Sequence, residues 1–120
     1  MPIFGSVGAP QTIGAANGGK VYAYNNLTTT PTVVAAANSA RVEITFHNPG
    51  TSDVFIAPVM VQTNGSSVPL LPTTSALGGC FRVYANGGSL VINGECQGAW
   101  QAFSNTGSGN PLTVVDSNVG

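Results

Sequence analysis

Residues 41–58 read RVEITFHNPGTSDVFIAP, and this stretch decides the fold class of the 120-residue chain. Apolar and polar residues alternate from Arg41 to His47, which puts Val42, Ile44 and Phe46 on one face. A period of two is typical of a β-strand that is buried on one side. The turn residues 48–52 follow, and a second apolar run occupies 53–58. The stretch therefore predicts a β-hairpin in which strand 41–47 pairs with strand 53–58.

Other short β-type runs lie on both sides of this hairpin, separated by turn signals. Two prolines in 68–72 restrict that run to an edge strand or a packed loop. The runs are 21–24, 31–37, 59–62, 68–72, 80–84, 89–92 and 112–115. Many short strands separated by turn signals predict an all-β, two-sheet β-sandwich of jelly-roll or Greek-key type. A small closed barrel is the alternative.

The dipeptide Asn93-Gly94 is the strongest short hairpin signal in the chain. It predicts that strand 89–92 folds back on the residues that lead to Trp100. Burial favours a three-residue loop there, because Leu90 and Ile92 then share a face with Cys96 and Trp100. Trp100 is accordingly expected to be the core tryptophan of the sandwich.

The first residues differ in character from the rest of the chain. Residues 1–19 carry isolated apolar side chains and show no period, so the sequence predicts an extended N-terminal arm, 1–19, followed by a single β-sandwich domain, 20–120. Terminal disorder is the alternative. If the arm orders on a partner, its apolar anchors are expected to be Ile3, Phe4, Val7 and Ile13.

The small number of charges limits the function classes. Three Lys or Arg stand against four Asp or Glu, the net charge is −1, and charged residues are 6% of the chain. Roughly a quarter is usual. Few groups are present for acid–base chemistry or for phosphate contacts, so we expect neither an enzyme nor a nucleic-acid-binding protein. Near-neutral surfaces promote association, which indicates that neighbours in an assembly cover much of this one.

Few residues in the sequence indicate a catalytic or metal-binding site. His47 is the single histidine, and we expect it to be a solvated or hydrogen-bonded residue at a strand end. The four carboxylates lie in separate elements and are expected in turns or on the surface, Asp53 and Asp116 included. No metal or cofactor site is predicted. No apolar run reaches the ~18 residues of a membrane helix, and no signal peptide is recognisable, so we expect synthesis in a cytosol and no membrane partner.

Cys80 and Cys96 lack the spacing of a zinc site. In a reducing compartment free thiols are favoured, and a disulfide between Cys80 and Cys96 is the alternative. A carbohydrate-binding or host-attachment module remains a rival function, for which Trp100, Tyr22 and Tyr24 would be the stacking aromatics.

The stretch from Arg41 to Pro58 resembles a β-hairpin common in small virion proteins of tailed bacteriophages. The shared pattern is Arg, alternating apolar residues, Asn, a Gly turn and Val-x-Ile. Residues 87–90 and 98–102 look like the later part of the same domain type. The resemblance covers roughly residues 27 to 116, and Cys80 and Cys96 depart from it.

Domains of this type occur as decoration or cement proteins on phage heads and in head or tail fibres. The resemblance implies a β-sandwich that oligomerises on the outer capsid surface and bridges neighbouring subunits of the major capsid protein. No catalytic residues come with it. We expect a homo-oligomer located on the virion and made in the host cytoplasm, with the capsid as the partner that the arm contacts. A closed homotrimer or homodimer suits local symmetry points of an icosahedral shell, and of the two a homotrimer is slightly favoured.

Overall fold

The computed structural model describes residues 19–61, 69–70, 73, 75 and 77–118. Ten strands and no helix lie within these residues. In chain order they are β1 (Lys20–Leu27), β2 (Thr32–Ala35), β3 (Arg41–Asn48), β4 (Val54–Pro58), β5 (Met60–Val61), β6 (Pro69–Leu70), β7 (Phe81–Val83), β8 (Gly88–Ile92), β9 (Trp100–Ser104) and β10 (Asn110–Asn118). The described part of the chain thus contains no helix that could span a membrane.

Eight of the strands form two antiparallel four-stranded sheets. Sheet I has the order β1-β10-β3-β8, and sheet II has the order β2-β9-β4-β7. Strands β1 to β4 alternate between the sheets, beginning in sheet I. Strands β7 to β10 also alternate but begin in sheet II, so β4 and β7 are both in sheet II. Eight strands shared in this way between two sheets give the jelly-roll form of the β-sandwich. The predicted sandwich is confirmed, and the closed barrel is not formed.

Both predicted hairpins are wrong, although the strands themselves are present. β3 pairs with β10 and β8, so that Phe46 lies opposite Val114 and Leu90. β4 instead pairs with β9 and β7 in sheet II. β8 and β9 are likewise in different sheets. The two strands that flank a turn can lie side by side in one sheet, or they can face each other across the ~10 Å between two sheets. Either arrangement buries their apolar faces, so the turn signal does not show which one forms.

The remaining strand predictions describe the structure well. The predicted run 31–37 contains β2, and the proline-containing run 68–72 contains β6, which pairs only with β5 in a two-stranded ribbon within the described residues. Asn86 and Gly87 both have positive φ, 63° and 102°, as a tight turn between β7 and β8 requires. Residues 86 and 87 thus form the turn that separates the predicted runs 80–84 and 89–92.

The core fills the space between the sheets. Trp100 is 4% exposed and its ring lies 5.8 Å from that of Phe46, which confirms its predicted place in the core. Its cluster of buried residues comprises Leu27, Val34, Ala35, Ile44, Phe46, Val54, Ile56, Val83, Cys96, Trp100, Ala102, Leu112 and Val114.

A β-bulge at the start of β3 changes the predicted faces of that strand. Ile44 and Phe46 are buried as expected, but Val42 is 44% exposed and Arg41 is 1% exposed. The pairing with β10 passes from Glu43 directly to Arg41 and leaves Val42 without an opposite residue. The extra residue reverses the alternation, and Arg41 consequently points into the protein.

Candidate functional site

Arg41 and Asp116 form a buried ion pair, and the two residues are 1% and 5% exposed. The Arg41 Nε donates to Asp116 Oδ1 at 2.9 Å, and the Nη2 donates to Oδ2 at 3.2 Å. The other guanidinium hydrogens reach backbone oxygens of Ala36, Cys96 and Gly98 at 2.7–2.8 Å. A guanidinium has five N–H donors, and all five are used here.

This pair is a structural element rather than a binding site. Because every donor of Arg41 is occupied, the guanidinium has none left for an anion or a substrate. It instead ties β3 and β10 to the loop after β2 and to the loop before β9. The prediction that Asp116 lies in a turn or on the surface is wrong: the residue is 5% exposed. The bulge that turns Arg41 inward is what brings the two charges together.

A second ion pair lies at the opposite end of the sandwich. Arg82 donates from Nε to Asp53 Oδ2 at 2.9 Å, and its Nη2 also contacts that oxygen. Asp53 Oδ1 accepts the N–H of Ala85 at 2.8 Å. The Ala85 hydrogen bond and the Arg82 guanidinium hold the pKa of Asp53 below its ordinary value of 3.8. Asp53 is thus the polar acceptor that its position after a Pro-Gly turn predicts.

The single histidine has a serine partner on the outer face of sheet I. His47 Nδ1 lies 2.7 Å from Ser89 Oγ. Glu43 is on the same face but four residues away along an extended strand, which is about 13 Å. A Ser-His pair without an acid to orient the imidazole falls short of a catalytic triad. Its hydrogen bond matches the expectation for a strand-end histidine.

The two cysteines are both free thiols. Cys96 is fully buried in the core, while Cys80 is half-buried just before β7. Burial raises the pKa of the Cys80 thiol, which makes it a poor nucleophile at neutral pH. Within the described ranges no three His, Cys, Asp or Glu side chains come together in a group that could bind a metal ion.

The outer face of sheet I is nearly free of charge. The strand registers align four β-branched residues across all four strands, and we call them the outer row: Val21, Val115, Thr45 and Val91. Val21 is 69% exposed and Val91 is 50% exposed. A second row of small or polar residues, Ala23, Thr113, His47 and Ser89, runs beside it. Glu43 and His47 are the ionisable side chains that the described strands place on this face.

One cleft lies between β1 and β2, where the edges of the two sheets face each other. Its volume is about 610 Å³, and its lining includes Lys20, Tyr22, Tyr24, Asn38 and Asn118. The Tyr24 hydroxyl donates to the Val34 carbonyl oxygen at 2.8 Å and so joins the two sheets at this edge. Burial raises the pKa of Tyr24, and the neighbouring Tyr22 raises it further by a smaller amount. Tyr22 is 37% exposed. Both tyrosines named as sugar-stacking candidates are here, whereas Trp100 is not.

A second cleft lies at the opposite edge of the sandwich, between β7 and β8. Its volume is about 460 Å³. The lining is mostly apolar and comprises Pro58, Phe81, Leu90, Val91, Ile92, Asn93, Gly94, Glu95 and Trp100. Phe81 is 46% exposed, and its ring lies 6.4 Å from that of Trp100. We call this the β7/β8 cleft. This cleft could not be predicted from the sequence, because it depends on two strands whose sheet partners the sequence does not reveal.

The predicted arm contacts Ile3, Phe4, Val7 and Ile13 lie outside the described residues. Their contact with a capsid stays a prediction, as does the boundary between arm and domain.

The sheet order places the chain in the jelly-roll class of β-sandwiches. No protein-family model matches the sequence, and no curated protein matches it. One similar solved structure is from Bacillus endospore appendages, which form disulfide-linked pili; it is 11% identical, the match covers 85% of this chain and 88% of that one, and the TM-score is 0.44. Another is RmlC from Streptococcus suis in complex with dTDP-D-xylose, with 8% identity, 94% of this chain and 50% of that one covered, and a TM-score of 0.45.

Proposed function

We propose that the protein is a capsid decoration, or cement, protein. It binds the outer surface of a phage head as a homo-oligomer and stabilises contacts between subunits of the major capsid protein. The proposal assigns it a structural role and no catalysis. The resemblance of residues 41–58 to small virion proteins supports the phage assignment, and the jelly-roll topology is compatible with it. Because one fold hosts many functions, the surface of the protein carries the assignment and the fold does not.

The outer face of sheet I is the single observation that carries this proposal. Four strands present the outer row side by side, with Val21 and Val91 at least half exposed and little charge nearby. Clustered exposed apolar residues on a soluble protein mark an interaction site. A shell subunit with a matching uncharged surface is the partner that such a face suits.

The charged side chains support a structural role. Arg41 and Arg82, two of the three basic residues, are held in ion pairs with Asp116 and Asp53. Little positive charge is left for phosphate, which argues against nucleic-acid binding. His47 has a serine partner and no nearby acid, so a hydrolase-type site has no support from these residues.

Sedimentation velocity with phage heads that lack the protein tests the proposal. We expect saturable binding at a fixed ratio to the major capsid subunit. The double variant Val21→Lys/Val91→Lys should bind at least tenfold more weakly, because it places two charges on the outer row. The matched control is Val33→Lys, which adds a charge at a 53%-exposed valine of sheet II. Absence of saturable binding by the unaltered protein would overturn the cement role.

A carbohydrate-binding module is the second candidate, and the cleft between β1 and β2 favours it. Tyr22 and Tyr24 line that cleft beside the amide of Asn38. An aromatic ring with nearby amides can stack on and hydrogen-bond a sugar. Calorimetric titration with host polysaccharide, compared between the unaltered protein and Tyr22→Ala, separates this candidate from the first. Binding that Tyr22→Ala abolishes would support a sugar site, and no heat of binding would reject it.

A further inference from the structure

The two long edges of the sandwich are closed differently. At the β1 and β2 edge, the Tyr24 hydroxyl bridges to the Val34 carbonyl across the gap between the sheets. At the β7 and β8 edge, a backbone hydrogen bond from Gly88 to Tyr84 closes only the turn. Leu90 and Ile92 pack against the core but are only partly buried, and Phe81 is 46% exposed. Apolar side chains at the margin of the core are therefore accessible to solvent along the β7/β8 cleft.

The strand at this opening is also the edge strand best able to accept another strand. β8 reads GSLVI and contains no charge and no proline. The other edges carry protective features: β1 begins with Lys20, β2 is four residues long and follows Pro31, and β7 is three residues long and contains Arg82. Charges, prolines and short length are the features that keep edge strands from pairing with other chains.

We propose that the N-terminal segment of a second copy, residues 1–18, adds a strand to β8 and fills the β7/β8 cleft. The inference rests on the homo-oligomer of the proposed function, and it makes a neighbouring copy, in place of the capsid, the partner of the arm. Main-chain hydrogen bonds to the β8 edge would provide affinity, and the apolar cleft would select the side chains.

The segment matches the cleft in chemistry. Residues 1–18 contain no Lys, Arg, Asp or Glu, and their apolar side chains include Ile3, Phe4, Val7 and Ile13. In an extended strand Ile3 and Val7 point to the same side, with Gly5 between them. The cleft lining contains one ionisable residue, Glu95. The side chains of such a segment bring no charge into the cleft, and the Glu95 carboxylate is exposed to solvent.

The position of the arm permits exchange between copies. Lys20 begins β1, which is at one edge of sheet I, and β8 is at the other edge, three strand spacings or about 14 Å away. Donor and acceptor lie on opposite edges, so each copy can give its arm in one direction and receive one from the other. Such a head-to-tail contact can close into a ring, which suits the expected homotrimer. Eighteen extended residues span up to about 60 Å, enough to reach a neighbour.

Disulfide trapping between two differently tagged full-length copies tests the exchange. Both copies carry Cys80→Ser. The donor carries Phe4→Cys or Val7→Cys, which together sample both faces of the arm, and the acceptor carries Leu90→Cys. We expect a cross-linked heterodimer on a non-reducing gel from at least one donor. The control acceptor, Val33→Cys on sheet II, should give at least tenfold less product.

Three outcomes would overturn the proposal. No enrichment over the Val33→Cys control would refute the docking site. Cross-linking within one copy that carries both cysteines, without products between copies, would show that the arm folds onto its own β8. Products formed by the Leu90→Cys copy alone would show that two β8 edges pair directly.

Sedimentation of the free protein separates this inference from the proposed function. Phe4→Asp/Val7→Asp should convert the oligomer to a monomer, and the control Val33→Asp should leave it unchanged. If the unaltered oligomer depends on the arm but ignores phage heads, the arm exchange stands and the cement role fails. If the arm variant still forms the oligomer, the exchange fails whether or not the protein binds heads.

Discussion

Replacing Arg41 by methionine tests whether the buried ion pair holds the end of the sandwich together. The change removes five hydrogen bonds and leaves the Asp116 carboxylate, which is 5% exposed, without its counter-charge. Removal of one member of a buried pair costs about 3–5 kcal/mol. Whole domains are stable by only about 5–15 kcal/mol. At about 4 °C per kcal/mol for a chain of this length, the Tm should fall by about 12–20 °C.

Urea and thermal denaturation followed by circular dichroism would measure this loss. The double variant Arg41→Met/Asp116→Leu should recover more than half of it, because no buried charge is left without a partner. Arg82→Met provides the comparison at an exposed pair: the Arg82 side chain is 49% exposed, so solvent screens its ion pair and the loss should be much smaller.

The result that would refute this reasoning is a Tm for Arg41→Met within about 4 °C of the unaltered protein, equivalent to about 1 kcal/mol. Equal losses for Arg41→Met and Arg82→Met would also contradict it, since burial is the reason for the expected difference. A double variant no more stable than Arg41→Met would show that the loss comes from packing and not from the unpaired carboxylate.

Three further predictions concern single residues. Trp100 should show blue-shifted fluorescence that acrylamide quenches poorly, because it is 4% exposed; a red-shifted, readily quenched spectrum would contradict its place in the core. Gly88→Ala should lower the free energy of unfolding by about 1–3 kcal/mol, since its Cβ would lie 2.3 Å from the Tyr84 carbonyl oxygen, whereas Gly94→Ala has open space and should cost little. The pKa of Asp53 is lowered in the folded protein, so its contribution to stability is present above pH 3.8 and is lost as the pH falls through the folded value. The Tm difference between the unaltered protein and Asp53→Asn should therefore shrink in acid, and a difference independent of pH would exclude this role.

The strands could be predicted because their signals are local. The alternation from Glu43 to His47 requires one buried and one exposed face wherever the strand pairs, and the two prolines near Leu70 exclude a central position in a large sheet. The core position of Trp100 could be predicted for a similar reason, because a large aromatic residue in a β-run is most stable when buried. These inferences need no knowledge of strand partners.

Features that depend on which strands pair could not be predicted from the sequence in the same way. The turns at Pro49-Gly50 and Asn93-Gly94 join strands in different sheets, and the same turn residues suit a hairpin within one sheet. The inward Arg41 depends on a bulge that appears only when β3 pairs with β10. Asp116 looks like a surface residue until that pairing brings it to the guanidinium.

By itself the sequence determined the all-β class, the position of most strands and the scarcity of charge, because strand period, turn residues and composition are properties of short segments. Only the tertiary structure decided the jelly-roll order, the buried Arg41–Asp116 pair, the outer row of sheet I and the open β7/β8 cleft. Each of these arises from residues far apart in the chain that meet across a sheet or between two sheets. Strand pairing depends on the burial of many faces at once, and no local stretch contains that information.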